Sequence, residues 1–155
     1  AVIFGDSTIE LEKIVERSIN NDIKFSLLFT SPPYYSITDY HADQWLRLWM
    51  LGGDETPKTI NEKYKGRFID KDKYYNLLDN VFALSSKMME EKSVIYVRTD
   101  KRKFTFNTTV EILKMHFPNH KMKIVNRPLT KNTKTQTKLF GDKSMKPGEV
   151  DIILK

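Results

Sequence analysis

Cysteine is absent from this 155-residue chain. That excludes disulfides and thiolate metal sites, and it fits a reducing, cytoplasmic setting. Long hydrophobic runs are missing too. No stretch of about 18 apolar residues could span a bilayer, and the amino terminus lacks the charged-then-apolar order of a signal peptide. Glycine is scarce, with Gly5, Gly52, Gly53, Gly66, Gly141 and Gly148 making up the whole set. None stands in a Gly-x-Gly arrangement between a strand and a helix, so the usual backbone cradle for a bound cofactor is not encoded here. His41, His116 and His120 have no metal-ligand spacing with nearby carboxylates and read as ordinary surface or core residues, so no metal site is expected.

What is present is a globular composition, 39% hydrophobic with 12% aromatic residues, at a length that suits one domain with a real core. The net charge of +6 is unevenly spread. Between Arg98 and Lys146 there are thirteen Lys and Arg against three Asp and Glu, a local charge of +10 that leaves −4 for the remainder. A concentrated basic half is the electrostatic footprint of a phosphate-backbone binder, although solvated lysines on a loop give the same count.

Along the chain, Ala1 to Phe4 is apolar and ends at Gly5-Asp6, which reads as a short strand. Ser7 and Glu10 match a capping box, and Leu11, Ile14, Val15 and Ile19 then share one helical face. The run Phe25-Ser26-Leu27-Leu28-Phe29 reads as a buried strand. Residues 36–68 form an inserted loop region, with a short aromatic helix expected over His41 to Leu51. Tyr74, Leu77, Leu78, Val81, Phe82, Leu84, Ser85 and Met88 predict a long amphipathic helix, followed by a strand at Ser93–Val97. Thr108 and Glu111 match a second capping box that opens a helix through about Phe117, closed by Pro118. Met122–Val125 and Val150–Leu154 are the last strands, separated by a polar, basic loop over residues 126–148. This alternation is an α/β pattern: a parallel sheet with a terminal antiparallel pair.

Thr30-Ser31-Pro32-Pro33-Tyr34-Tyr35 follows the apolar run directly. Each proline fixes its own φ and Pro33 also restricts Pro32, so the loop leaves the strand stiff and extended. The carboxyl end of a strand is where open α/β sheets bind ligands. Polar carbonyls followed by aromatic rings suit the gripping of a flat, amino-bearing ring, whereas a plain proline turn beside packed tyrosines is the structural alternative.

These residues resemble the catalytic motif of the DNA amino-methyltransferases, in which a small or acidic residue precedes Pro-Pro and an aromatic. The Ser-Pro-Pro-Tyr form is commoner among the N4-cytosine enzymes than the N6-adenine ones. The resemblance implies methyl transfer from S-adenosylmethionine to the exocyclic amino group of a flipped-out base in DNA, as in restriction–modification systems. It implies that Ser31 and the Pro32 carbonyl accept hydrogen bonds from that amino group, with Pro33 stiffening the loop and Tyr34 stacking on the base. By the same resemblance Asp6, Ser7, Thr30 and Ser31 line the cofactor. Asp6 would accept from the adenine amino group, although helix capping would explain it equally well. Tyr35, Arg98, Lys101, Arg102 and Lys103 at the strand ends, with Lys131 and Lys134 in the basic loop, are the DNA-contacting candidates. The loop from Tyr40 to Arg67, with Trp45, Arg47 and Trp49, is a further one.

The family also carries a Phe-x-Gly-x-Gly loop around the methionine part of the cofactor, and this chain has none. The expectation is therefore one partial, Rossmann-like methyltransferase domain over residues 1–155, with the glycine-rich strand supplied by another segment or subunit. Two rivals remain: a non-catalytic nucleic-acid-binding relic, and a methyltransferase of an RNA base or protein glutamine. Ser31 in place of the Asn usual in the latter argues against it.

Overall fold

The computed structural model describes residues 2–3, 5–36, 45–46, 49–56, 66–127 and 148–155. The elements run α1 (Ser7–Asn20), β1 (Phe25–Thr30), α2 (Lys71–Lys87), β2 (Met89–Asp100), α3 (Lys103–His116), β3 (Met122–Arg127) and β4 (Glu149–Leu154). The strands form one four-stranded mixed sheet in the order β1-β2-β4-β3. β1 pairs parallel with β2, while β4 lies antiparallel between β2 and β3. The expected antiparallel pair is therefore present. Its last strand is inserted beside β2, so only β1 and β2 are parallel neighbours.

The core lies on one sheet face. Ile95 and Val97 of β2 stand opposite Leu154 and Ile152 of β4 in register. Tyr74, Leu78 and Phe82 of α2 and Ile112 and Leu113 of α3 complete the cluster. The buried positions of α2 recur at helical spacing, and the expected amphipathic helix forms where the periodicity places it.

Four local expectations need correcting. Val2 and Ile3 belong to no strand. Asp6, rather than Ser7, caps α1, its carboxylate accepting from the Thr8 amide at 2.9 Å. The charged Asp side chain reaches the free Thr8 amide and complements the helix dipole, while Glu10 pairs with Lys13. Helix α3 begins at Lys103 and not near Thr108. Thr105, Thr108 and Thr109 lie on its buried face, and Thr109 bonds back to the Thr105 carbonyl, so the second capping-box match is accidental.

The fourth correction concerns β1, expected as a buried strand. It is an edge strand, with Leu27 60% and Phe29 71% exposed. Strand alternation turns Leu28 and Thr30 toward the core face and Leu27 and Phe29 away from it, and β2 alone pairs with β1 among the described residues. Phe29 stacks on Tyr96 with ring centroids 4.9 Å apart, on the face away from the core. Of the helix expected over His41 to Leu51, residues 45–46 and 49–50 are helical, Leu51 already lies in a turn, and residues 41–44 and 47–48 lie outside the described residues. Among the described residues no helix is long and apolar enough to cross a membrane.

Candidate functional site

The topology brings one set of chain ends to a single rim. β1 ends at Thr30 and β2 at Asp100, β3 ends at Arg127, and antiparallel β4 begins there at Glu149. In register, Asp100 and Arg127 both pair with Glu149. The Ser31-Pro32-Pro33-Tyr34 loop leaves β1 at this rim.

Four contacts hold that loop. The phenol of the fully buried Tyr74 donates to the Pro33 carbonyl at 3.0 Å. The Arg102 guanidinium donates to the Tyr35 carbonyl at 3.3 Å. The amide of Ser36 donates to the Phe68 carbonyl at 2.7 Å. The Tyr34 phenol donates to Glu149 Oε1 at 2.9 Å. Ser36 itself takes a left-handed φ of 58°, which turns the chain out of the motif. The prolines stiffen the main chain locally, and these bonds fix it to α2, to the turn before α3 and to β4. Ser31 stays exposed at the edge of this braced loop.

Tyr35 packs inward. Its ring meets Phe104 and Tyr74 edge-on at centroid distances of 4.6 and 5.6 Å, so its aromatic surface serves the core. Burial pushes the Tyr34 phenol up to about 12; Glu149 and the nearby Asp100 add to this while the Ser31 hydroxyl opposes it. The group therefore stays a neutral donor across the physiological range.

Asp6 joins the same rim through residues 67–68, since Arg67 binds Asp6 Oδ2 at 2.9 Å and Phe68 binds Ser36. Partial burial raises the Asp6 pKa, but hydrogen bonds from Arg67 and Thr8 outweigh it and hold the carboxyl well below the usual range. Its oxygens already serve the helix amide, the Thr8 hydroxyl and Arg67. Ser7 is the first residue of α1, and Thr30 the last of β1. Among the described residues, the one acidic group of this set is thus engaged by its own helix and by Arg67.

Among the basic candidates, Arg98 donates to Asp151 from Nε at 2.8 Å and Nη2 at 3.3 Å, and to the Tyr96 hydroxyl at 3.0 Å. Arg127 binds the same fully buried carboxylate at 2.8 Å. Arg98 is thus an internal brace of the outer sheet face. Lys101 and Arg102 form the turn after β2 and Lys103 opens α3, all at the rim. Lys131 and Lys134, with Tyr40 and Arg47, lie outside the described residues. Trp45 and Trp49 stack at 6.5 Å.

The rim also contains residues that sequence reasoning did not single out. Asp100 is 3% exposed, and burial pushes its carboxyl above the ordinary range against the pull of the Arg102 amide. Its Oδ2 lies 3.6 Å from Arg102 Nε, too far for a hydrogen bond, and like the hydroxyls of Thr99 and Thr105 it is buried with no short hydrogen bond among the described residues. Unsatisfied buried polar atoms are costly, and these three lie within seven residues of chain at the end of β2. The one sequence signal was a carboxylate closing an apolar strand, a feature shared by many turns. Glu149 carried no signal at all. Concavities of about 450 and 390 Å³ lie toward the opposite end of the sheet, around Ser93 and Lys155 and around His120 and Met122.

No protein-family model, curated protein or solved structure matches this chain.

Proposed function

We propose that this chain is the target-gripping portion of a DNA amino-methyltransferase, acting on cytosine N4 in preference to adenine N6. The observation that carries the reading is the Ser31-Pro32-Pro33-Tyr34 loop, exposed at Ser31 and braced at Pro33 and Tyr34, at the carboxyl end of a sheet strand. Ser31 and the Pro32 carbonyl are acceptors for an amino group, and the Tyr34 ring offers a face for a flipped base. Nucleoside mass spectrometry of DNA from cells expressing the natural full-length protein tests this. N4-methylcytosine or N6-methyladenine, lost when Ser31 and Tyr34 are both replaced by Ala, is the expected result; unmethylated DNA opposes it.

A second segment or subunit bearing the glycine-rich motif belongs to this proposal. Support comes from β1, whose exposed Leu27 and Phe29 and unpaired edge among the described residues suit the addition of more sheet. The chain alone, with Asp6 tied to Arg67, is expected to bind S-adenosylmethionine weakly or not at all. A ligand held on one side recovers too little of the freedom it loses. Calorimetry is the check, and a stoichiometric micromolar site on the 155 residues would refute it.

The engaged Asp6 also favours a second reading, a nucleic-acid-binding module without catalysis. Both readings share an electrostatic outcome. DNA affinity should fall steeply with salt, and replacing Lys101, Arg102 and Lys103 by Ala should reduce the slope by about one unit for each phosphate no longer neutralised. Anisotropy titrations over a salt series measure this, and an unchanged slope places the DNA surface elsewhere.

A further inference from the structure

Two prolines stiffen the main chain before Tyr34 but leave its side-chain torsions free. A ring that must meet a flat base in one orientation needs a second anchor at its far end. We propose that Glu149 is the positioning residue for Tyr34, accepting its phenol at 2.9 Å and so fixing the ring at the mouth of the site. This rests on the reading of Tyr34 as the base-stacking residue.

Glu149 suits this role through its place in the fold. It is the first residue of β4, held between Asp100 of β2 and Arg127 of β3 by the sheet register. The chain enters β4 through Gly148, whose φ of 82° is a left-handed conformation that side chains disfavour. The Gly148 carbonyl accepts from the Lys101 amide at 3.2 Å, which ties the start of β4 to the turn after β2. The second carboxylate oxygen of Glu149 lies 3.8 Å from Arg98 Nε, and Arg98 is itself anchored on Asp151. The groups near the phenol are Glu149, Asp100 and Ser31. Glu149 remains partly exposed, so it can hold one end of Tyr34 without closing the site.

The experiment separates position from charge. Glu149→Gln keeps an acceptor for the phenol and removes the negative charge, whereas Glu149→Ala removes both. Carbon-13 NMR of the Tyr Cζ resonances, with Tyr34 assigned by Tyr34→Phe, is followed from pH 7 to 11. The Tyr34 signal should stay flat in the native chain where exposed tyrosines move, and its Cζ shift at neutral pH should move in Glu149→Ala, which loses the acceptor, and stay near the native value in Glu149→Gln. In the full-length protein, methyl transfer should fall about tenfold in Glu149→Ala, the worth of one hydrogen bond, mainly through KM for DNA. Glu149→Gln should restore it. A native Tyr34 Cζ shift in Glu149→Ala overturns the proposal, as does native transfer by Glu149→Ala. A native full-length protein that methylates no DNA overturns the function reading instead, and the NMR arm still decides whether Glu149 holds the ring.

Discussion

On the proposed methyltransferase reading, Tyr34→Ala in the full-length protein is expected to cut methyl transfer to DNA by about 5- to 150-fold while the domain stays folded. Stacking of a base on an aromatic ring is worth about 1–3 kcal/mol, and that free energy sets the range. The fold survives because Tyr34 is only half-buried and the partners of its phenol, Glu149 and Ser31, are exposed enough for water to satisfy them. The loop keeps its other ties, from Tyr74 to the Pro33 carbonyl and from Arg102 to the Tyr35 carbonyl. Initial rates of methyl incorporation, paired with a thermal melt of the same variant, make the check. Full activity with an unchanged melt would remove Tyr34 from the site.

Asp151→Ala should produce the largest loss of stability, about 3 kcal/mol, because it breaks a buried ion pair and leaves two arginines facing each other. The side chain is fully buried, and Arg98 and Arg127 converge on its two oxygens. Both arginines reach solvent, which keeps the loss at the lower end for such pairs. The hydrogen bond from Arg98 holds the Asp151 carboxyl well below its ordinary value of 3.8, with Arg127 adding to it against the opposing effect of burial. The sign follows from that lowering. The folded chain keeps the charged form longer than the unfolded chain, so the stabilisation is complete above the ordinary value and drains away as pH falls below it. Asp6, lowered by Arg67, acts in the same direction, while the raised Asp100 acts in the opposite one. Urea unfolding of the native chain and Asp151→Asn across a pH series should show curves that converge below about pH 4. Parallel curves down to the lowest pH would show that the charge on Asp151 carries none of this stability.

Several features of the site were legible without the fold. The apolar run before Ser31, the two prolines and the tyrosines placed a stiff loop after a strand, and β1 does end at Thr30. The spacing of Tyr74, Leu78 and Phe82 foretold α2, and Lys101, Arg102 and Lys103 stand where β2 gives way to α3. These are properties of neighbouring residues: helical periodicity, proline stereochemistry and local charge depend on a few turns of chain.

Tertiary structure decided the rest. Apolar content marked β1 as a strand, but only the strand order shows that it stands at an edge with Phe29 outward. Charge marked Arg98 as a cation; its commitment to Asp151, 53 residues away, depends on the β2–β4 register. Tyr35 and Tyr34 are adjacent and chemically alike, yet the packing of α2 and α3 takes the first into the core while β4 brings Glu149 to the second. Asp6 became a cap bound to Arg67 because the chain returns from residue 67 to the start of α1. Sequence thus determined the main helices, the strands from Phe25 onward and the stiff loop, since those follow from local stereochemistry and periodicity. Which side chains meet was decided by register and layer packing, because those contacts join residues that only the folded sheet makes neighbours.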